Sequence, residues 1–243
     1  MLADLLGLPI DPRTASEWIT FGAAHYGGAL AMDAGRYLIF AGAAFVILWV
    51  ALGRRLAHRR IQGRAPPRRQ LRREALWSLS TVTIFALYTL AISIAFVRGG
   101  TRFYLDFAAY GWIYWGFSVV LLIVAHDAYF YWTHRAMHLP RLYRRMHRTH
   151  HRSVSPSPWA AYAFAPAEAA VQGAFLPLMI LLVPLHPAAI LAFVVHSLTR
   201  NVVGHSGFEL FPRGASHGRW LGWLTMTTHH DLHHRRVHGN YGL

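Results

Sequence analysis

The sequence predicts an all-α integral membrane helical bundle with a histidine-rich, metal-binding cap on its cytoplasmic side, and three observations carry that expectation. Hydrophobic residues make up 54% of the 243-residue chain and charged residues only 14%, against roughly 25% charge in a typical soluble domain. Apolar runs approaching the length that crosses a hydrocarbon core recur along it. Seventeen residues are histidine, and most of those in the second half fall into three spaced clusters.

Taken in order, the first candidate span runs from Tyr37 to Gly53 and the second from Leu76 to Val97. The segment between them carries nine arginines from Arg54 to Arg73 and is broken by Pro66-Pro67. Positive charge beside apolar spans marks the cytoplasmic side, so this loop is expected there and the N-terminus outside. The second span leaves near Arg98-Gly99-Gly100, and a third, from about Tyr110 to Trp132, returns. It delivers His134 and His138 to a stretch rich in arginine from Arg135 to Arg152, which repeats the orientation set by the first loop. From Tyr162 to Val203, two apolar runs meeting at Val183-Pro184-Leu185-His186-Pro187 predict a helical hairpin that returns to the same face. All three clusters and His205 are therefore expected in one compartment.

The length suits one domain, without internal repeats or low-complexity linkers. Within it, residues 1–109 form an N-terminal region with two spans that adds only membrane anchorage, and 110–243 form the histidine-rich region. Met1 to Ile10 is apolar but carries Asp4 and lacks a positive leader and a small-residue cleavage site, so no signal peptide is expected. A net charge of +14 would raise nucleic-acid binding in a soluble protein. Here every basic residue is arginine and these concentrate beside the spans, so no nucleic-acid partner is expected.

The clusters are His134-Arg135-Ala136-Met137-His138, His147-Arg148-Thr149-His150-His151 and His230-Asp231-Leu232-His233-His234. On a helix, positions i, i+3 and i+4 share a face, so each cluster can aim several imidazoles at one point. Neutral imidazole binds iron, zinc and copper, and eight such ligands exceed what one ion takes, which points to two metals. The competing reading is a histidine-rich surface with incidental metal affinity. The repetition of His-x-x-His-His in two segments with apolar sequence between them weighs against it. With no cysteine, thiolate ligation, disulfides and iron–sulfur clusters are excluded.

Arg135 follows His134, so the His-Glu-x-x-His pattern of zinc proteases is missing and no carboxylate stands where a hydrolytic base would. The chain has ten acidic residues, few for a glutamate-rich diiron bundle. Those near the clusters, Asp127, Glu168, Glu209 and Asp231, suit orienting roles, with Asp231 the foremost candidate to accept a ligand's second N–H. Two alternatives are a membrane metal transporter, which would place ligands on both faces, and a zinc-dependent membrane hydrolase.

The run His126-Asp127-Ala128-Tyr129-Phe130-Tyr131-Trp132-Thr133-His134-Arg135-Ala136-Met137-His138, the cluster from His147, then His205-Ser206-Gly207-Phe208-Glu209, the cluster from His230 and Asn240-Tyr241-Gly242 together resemble the fatty acid hydroxylase/sterol desaturase superfamily. The resemblance covers about 110–243. It implies a membrane-bound non-haem diiron oxidoreductase that uses O2 and two electrons to hydroxylate or desaturate a lipid, a sterol or fatty acyl chain among the substrates. The implied ligands are His134, His138, His147, His150, His151, His205, His230, His233 and His234, for two iron ions that zinc can replace. Asn201, His196, His126, Asp127 and Asp231 are candidates for water-mediated or orienting contacts. No dinucleotide, haem or ferredoxin segment is recognisable, so electrons are expected from a small haem protein or a ferredoxin with its reductase. The family usually continues past Asn240-Tyr241-Gly242 with a Trp-Asp segment, so a chain ending at Leu243 is expected to be C-terminally truncated.

Overall fold

A computed structural model of the chain describes residues 12–242 apart from 213, 216–218, 220, 222 and 223. Met1 to Ile10 and His217 lie outside the described residues. Helix α1 spans Ala15–Phe45 and runs on through a π-helical turn, Val46–Ala51. Its start is set by a capping box: the Thr14 hydroxyl accepts from the Glu17 amide at 3.3 Å and the Glu17 carboxylate accepts from the Thr14 amide at 3.0 Å. The first span therefore begins 22 residues before the Tyr37 expected from hydropathy. Gly22, Gly27, Gly28, Asp33 and Arg36 dilute the apolar signal there, but Asp33 and Arg36 pair with each other one turn apart, so the helix continues.

Helix α2, Arg68–Val97, starts directly after Pro67, whose lack of an N–H and effect on the preceding residue forbid an earlier start. It ends where Gly99 takes a φ of 68°, a left-handed stop that glycine adopts without steric cost. Helix α3, Gly111–Met137, carries His134 in its last turn. A short turn, Pro140–Leu142, and a π-helical turn, Tyr143–His147, lead into α4, Arg148–His151. The hairpin forms as α5, Pro166–Gly173, and α6, Phe175–Leu182, followed by α7, Pro187–Gly204. The last helix, α8, is Thr227–Arg236.

Four of these segments are long and apolar enough to cross a membrane: Ala15–Ala51, Arg68–Val97, Gly111–Met137 and Pro187–Gly204. The α5–α6 arm falls short. Pro177 cannot donate an amide to the carbonyl four residues back, at Gly173, and the helix is interrupted at Ala174. Gly173 also lets α5 approach α2, since a Cβ there would lie 2.9 Å from the Phe85 ring.

Two apolar clusters hold the bundle. One joins Tyr37, Ala41, Val82, Ala161, Leu198 and Val202, and so ties α1 and α2 to the segment after the second histidine cluster and to α7. The other joins Leu122, Phe175, Ile180, Leu185 and Phe193. Tyr37 Oη and Ser78 Oγ both donate to the Trp159 carbonyl, at 2.8 and 3.0 Å. Residues of α1 and α2 thus pack against the segment that follows the second histidine cluster.

Candidate metal centre

Among the described residues nine histidines converge, from the end of α3, the π-helical turn and α4, the end of α7 and the body of α8, in two groups rather than one. The first is His134, His138, His147, His151 and His233; the second is His150, His205, His230 and His234. Within each group the ligand nitrogens all lie within 4.8 Å of one another. Each His-x-x-His-His triplet splits between the groups, which corrects the expectation that a triplet aims at one point. Positions i and i+4 differ by about 40° around a helix, whereas i+3 lies on the other side of that pair. His147 and His151 accordingly serve one group and His150 the other, while His230 and His234 serve the second and His233 the first.

The spacing is that of nitrogens aimed at a shared point. His134 Nε2 lies 2.8 Å from His147 Nε2, 3.3 Å from His138 Nε2 and 3.0 Å from His233 Nε2, with His151 Nε2 3.1 Å from that of His147. In the second group, His205 Nε2 lies 3.2, 3.0 and 3.2 Å from those of His150, His230 and His234. Two imidazoles bonded at right angles to one ion at about 2.0–2.1 Å would be about 3 Å apart, so both groups fit a metal.

Burial keeps these rings neutral. It pushes His205 and His233 down to about 4 and His138 to about 3, and holds His147, His150, His230 and His234 well below the ordinary imidazole value. Mutual repulsion between the rings adds to this for His138, His147, His150, His230 and His234. A neutral imidazole offers the lone pair that a metal needs.

The opposite ring nitrogens are held from behind. His147 Nδ1 donates to Glu168 Oε1 at 2.7 Å, His134 Nδ1 to the Tyr241 carbonyl at 2.9 Å, His205 Nδ1 to the Asn201 carbonyl at 2.8 Å and His233 Nδ1 to the Gly239 carbonyl at 2.6 Å. Such contacts fix the tautomer and ring plane. Sequence reasoning named Glu168 only as a nearby acid; that α5 would place it on His147 has no signature in the cluster spacing. Tyr241 entered only through the Asn240-Tyr241-Gly242 stretch of the resemblance, with no role attached, and Gly239 not at all, because a backbone acceptor leaves no mark on residue type.

Asp231 takes another role: its carboxylate accepts from Gln62 Nε2 at 2.9 and 3.1 Å. Gln62 also donates to the Val154 carbonyl at 2.9 Å. It belongs to the arginine loop, which closes over the cap. Arg59 Nη1 donates to the Glu209 and Phe211 carbonyls, the Ile61 amide to Gly207, and the Glu209 amide to Arg59. Trp49 Nε1 donates to the Ser206 carbonyl at 3.0 Å. Gly207 has a φ of 79°, and a Cβ there would meet the Trp49 ring at 2.8 Å, so the motif after His205 requires glycine for both reasons.

Of the remaining candidates, Asn201 is buried and donates from Nδ2 to the Ala161 carbonyl at 2.7 Å. His126 lies between Phe175 and Phe193, with ring centroids 5.0 and 5.2 Å away. His196 and Asp127 are exposed and stand apart from both groups. A cavity of about 310 Å³ opens within the bundle, lined by α1, α2, α3, α5, α6 and α7. Two of its walls adjoin the groups: Phe130 lies 5.0 Å from the His134 ring and Phe164 5.2 Å from that of His150.

Fold and site together define an integral membrane protein whose paired histidine groups close one end of an apolar cavity within the bundle. The chain belongs to the fatty acid hydroxylase family, whose model matches residues 119–243. It is similar to a Delta(7)-sterol 5(6)-desaturase of Gibberella zeae, 31% identical over 174 residues that make up 71% of this chain and 52% of that protein. It is also similar to a Delta(7)-sterol 5(6)-desaturase of Aspergillus fumigatus, 29% identical over 71% of this chain and 59% of the relative. Lathosterol oxidase of Rattus norvegicus is 26% identical over 71% of this chain and 57% of its own length. The chain thus spans little more than half the length of these relatives. No solved structure matches it significantly.

Proposed function

We propose that the protein is an oxidoreductase that uses O2 and two electrons to hydroxylate or desaturate a membrane lipid, at two iron ions held by the nine histidines. The observation that carries this reading is the contact of Phe130 and Phe164, two walls of one apolar cavity, with a ring from each histidine group. Iron in such a nitrogen-rich site supplies O2 activation, which the side chains alone lack. The chain's own contribution is position and exclusion. The five- and four-histidine groups would each hold one ion, and Glu168 and the three backbone carbonyls keep the imidazoles oriented. The cavity would admit a lipid from the bilayer, with Phe130 and Phe164 placing one segment of it beside the metals and keeping bulk water out. Family membership, with sterol desaturases among the relatives, favours a sterol or related lipid.

The paired histidine groups stand at the end of α3 that adjoins the arginine-rich segments, so the cap belongs on the cytoplasmic side by the positive-inside rule. Electrons would come from a separate cytoplasmic donor, a small haem protein or a ferredoxin with its reductase.

The test is elemental analysis and Mössbauer spectroscopy of protein purified from iron-supplemented cells, followed by a lipid screen with and without O2. About two irons per chain in a coupled pair, with O2-dependent oxidised lipid, is expected. One zinc, or turnover without O2, overturns the reading.

A further inference from the structure

Charge within a membrane helix is costly and marks function by default. Asp33 and Arg36 lie within α1, one of the segments long and apolar enough to cross a membrane. Arg36 Nη2 donates to Asp33 Oδ1, Asp33 is buried, and both residues line the cavity that ends at the histidine groups. The contact uses one carboxylate oxygen and one guanidinium nitrogen, leaving an acceptor and further N–H groups for a guest.

The rest of the cavity wall is mostly apolar; Tyr88, Thr89, Tyr162, Gln172, Ser197 and Asn201 add neutral polar groups, and Asp33 and Arg36 are its charged ones.

That combination selects among head groups. A hydroxyl can donate to Asp33 while it accepts from Arg36. An ionised carboxylate has no proton to give and faces the Asp33 charge, and a capped hydroxyl can only accept. We propose that Asp33 and Arg36 form a polar seat for the hydroxyl of a neutral lipid alcohol and so determine which carbon of the chain reaches Phe130 and Phe164. The seat lies outside residues 119–243, the part matched by the family, so it is a specificity device of this chain's N-terminal region. That the seated lipid is the molecule oxidised rests on the oxidoreductase reading above; the seat itself does not.

The experiment measures equilibrium binding to iron-loaded protein in nanodiscs, with tritiated cholestanol and hexadecanol, their methyl ethers, cholestanol hemisuccinate and hexadecanoic acid as probes. On at least one scaffold the free alcohol should bind about tenfold more tightly than its ether or its acid, the value of one buried hydrogen bond. Asp33→Asn should abolish the preference over the acid and raise binding of the anionic probe about tenfold, because Arg36 is then uncompensated. That gain cannot arise from misfolding, and Arg36→Gln should weaken the alcohol without it. Equal binding of alcohol and ether on both scaffolds, or an unchanged acid preference in Asp33→Asn, overturns the seat. Selective binding with no O2-dependent product from any lipid would instead overturn the oxidoreductase reading and leave the seat standing.

Discussion

Glu168 Oε1 accepts the Nδ1 proton of His147 at 2.7 Å, with both side chains buried. The contact joins α5, an arm too short to cross the bilayer, to the five-histidine group. It explains why an acid sits on an otherwise apolar hairpin. Replacing Glu168 with alanine should lower metal affinity about 10- to 100-fold, as loss of an orienting partner does elsewhere, while Glu168→Gln retains an acceptor oxygen and part of the affinity. Chelator competition followed by elemental analysis reads this directly. Unchanged metal retention in Glu168→Ala would show that the contact only packs the hairpin.

The division of each triplet between two groups has a stoichiometric consequence. His150 belongs to the four-histidine group and His233 to the five-histidine group. His150→Ala and His233→Ala should each lower bound iron from about two towards about one per chain and abolish lipid oxidation, since chemistry at a shared centre needs both ions. Metal analysis of the two single variants and the double variant distinguishes this from one common site. Full metal content in either single variant would sink the assignment of that residue.

Gly207 tests the brace between the first span and the cap. Alanine there must adopt a φ of 79° and meet the Trp49 ring at 2.8 Å, a combination expected to cost about 1–3 kcal/mol. Gly207→Ala should therefore unfold at a temperature several degrees lower in nanodiscs. Adding Trp49→Phe should recover only part of the loss, since it relieves the contact and not the backbone strain. No change in unfolding temperature would mean the loop is free to move away.

Orientation is open to a direct measurement because the chain has no cysteine. A single cysteine at Arg55, in the arginine loop, should be labelled by a membrane-impermeant maleimide only after the cytoplasmic face of vesicles is opened. One at Gly99, beyond the other end of α2, should react from outside. The reverse pattern would place the histidine cap on the outer face and remove a cytoplasmic electron donor from consideration.

Much of this was legible in the residues. Hydropathy found three spans and the hairpin turn at Val183–Pro187, histidine spacing found eight of the nine residues that converge, and the family resemblance supplied the ninth, His205. What stayed hidden was tertiary pairing. The early part of α1 was missed because Asp33 and Arg36 each count against a span in a hydropathy sum, although together they are a neutral pair. Helical spacing alone proposed one focus per triplet, because it shows which residues share a face but not which partners stand opposite. Asp231 was expected behind a ligand on grounds of proximity along the chain. Gln62, far away in sequence, takes that carboxylate instead, and Glu168 serves the cap from another helix.

The depressed imidazole values also make a prediction about the metal-stripped protein. His205 and His233 titrate at about 4 in the folded chain, against about 6.5 when unfolded. The unfolded chain therefore binds protons first as pH falls, and protonation favours it over the fold. The contribution of these histidines to stability is fully present above about pH 6.5, declines as pH falls below that, and is lost once pH passes the folded value near 4. Thermal unfolding of chelator-treated protein in nanodiscs should accordingly move to lower temperature across that window and change little from pH 7 to 8. The loss should shrink in a His205→Gln/His233→Gln variant, which has two fewer rings to protonate. An unfolding temperature that is flat from pH 7 to 4 would mean that the rings are already solvated in the metal-free state, and that the dry, neutral cluster forms only when metal is bound.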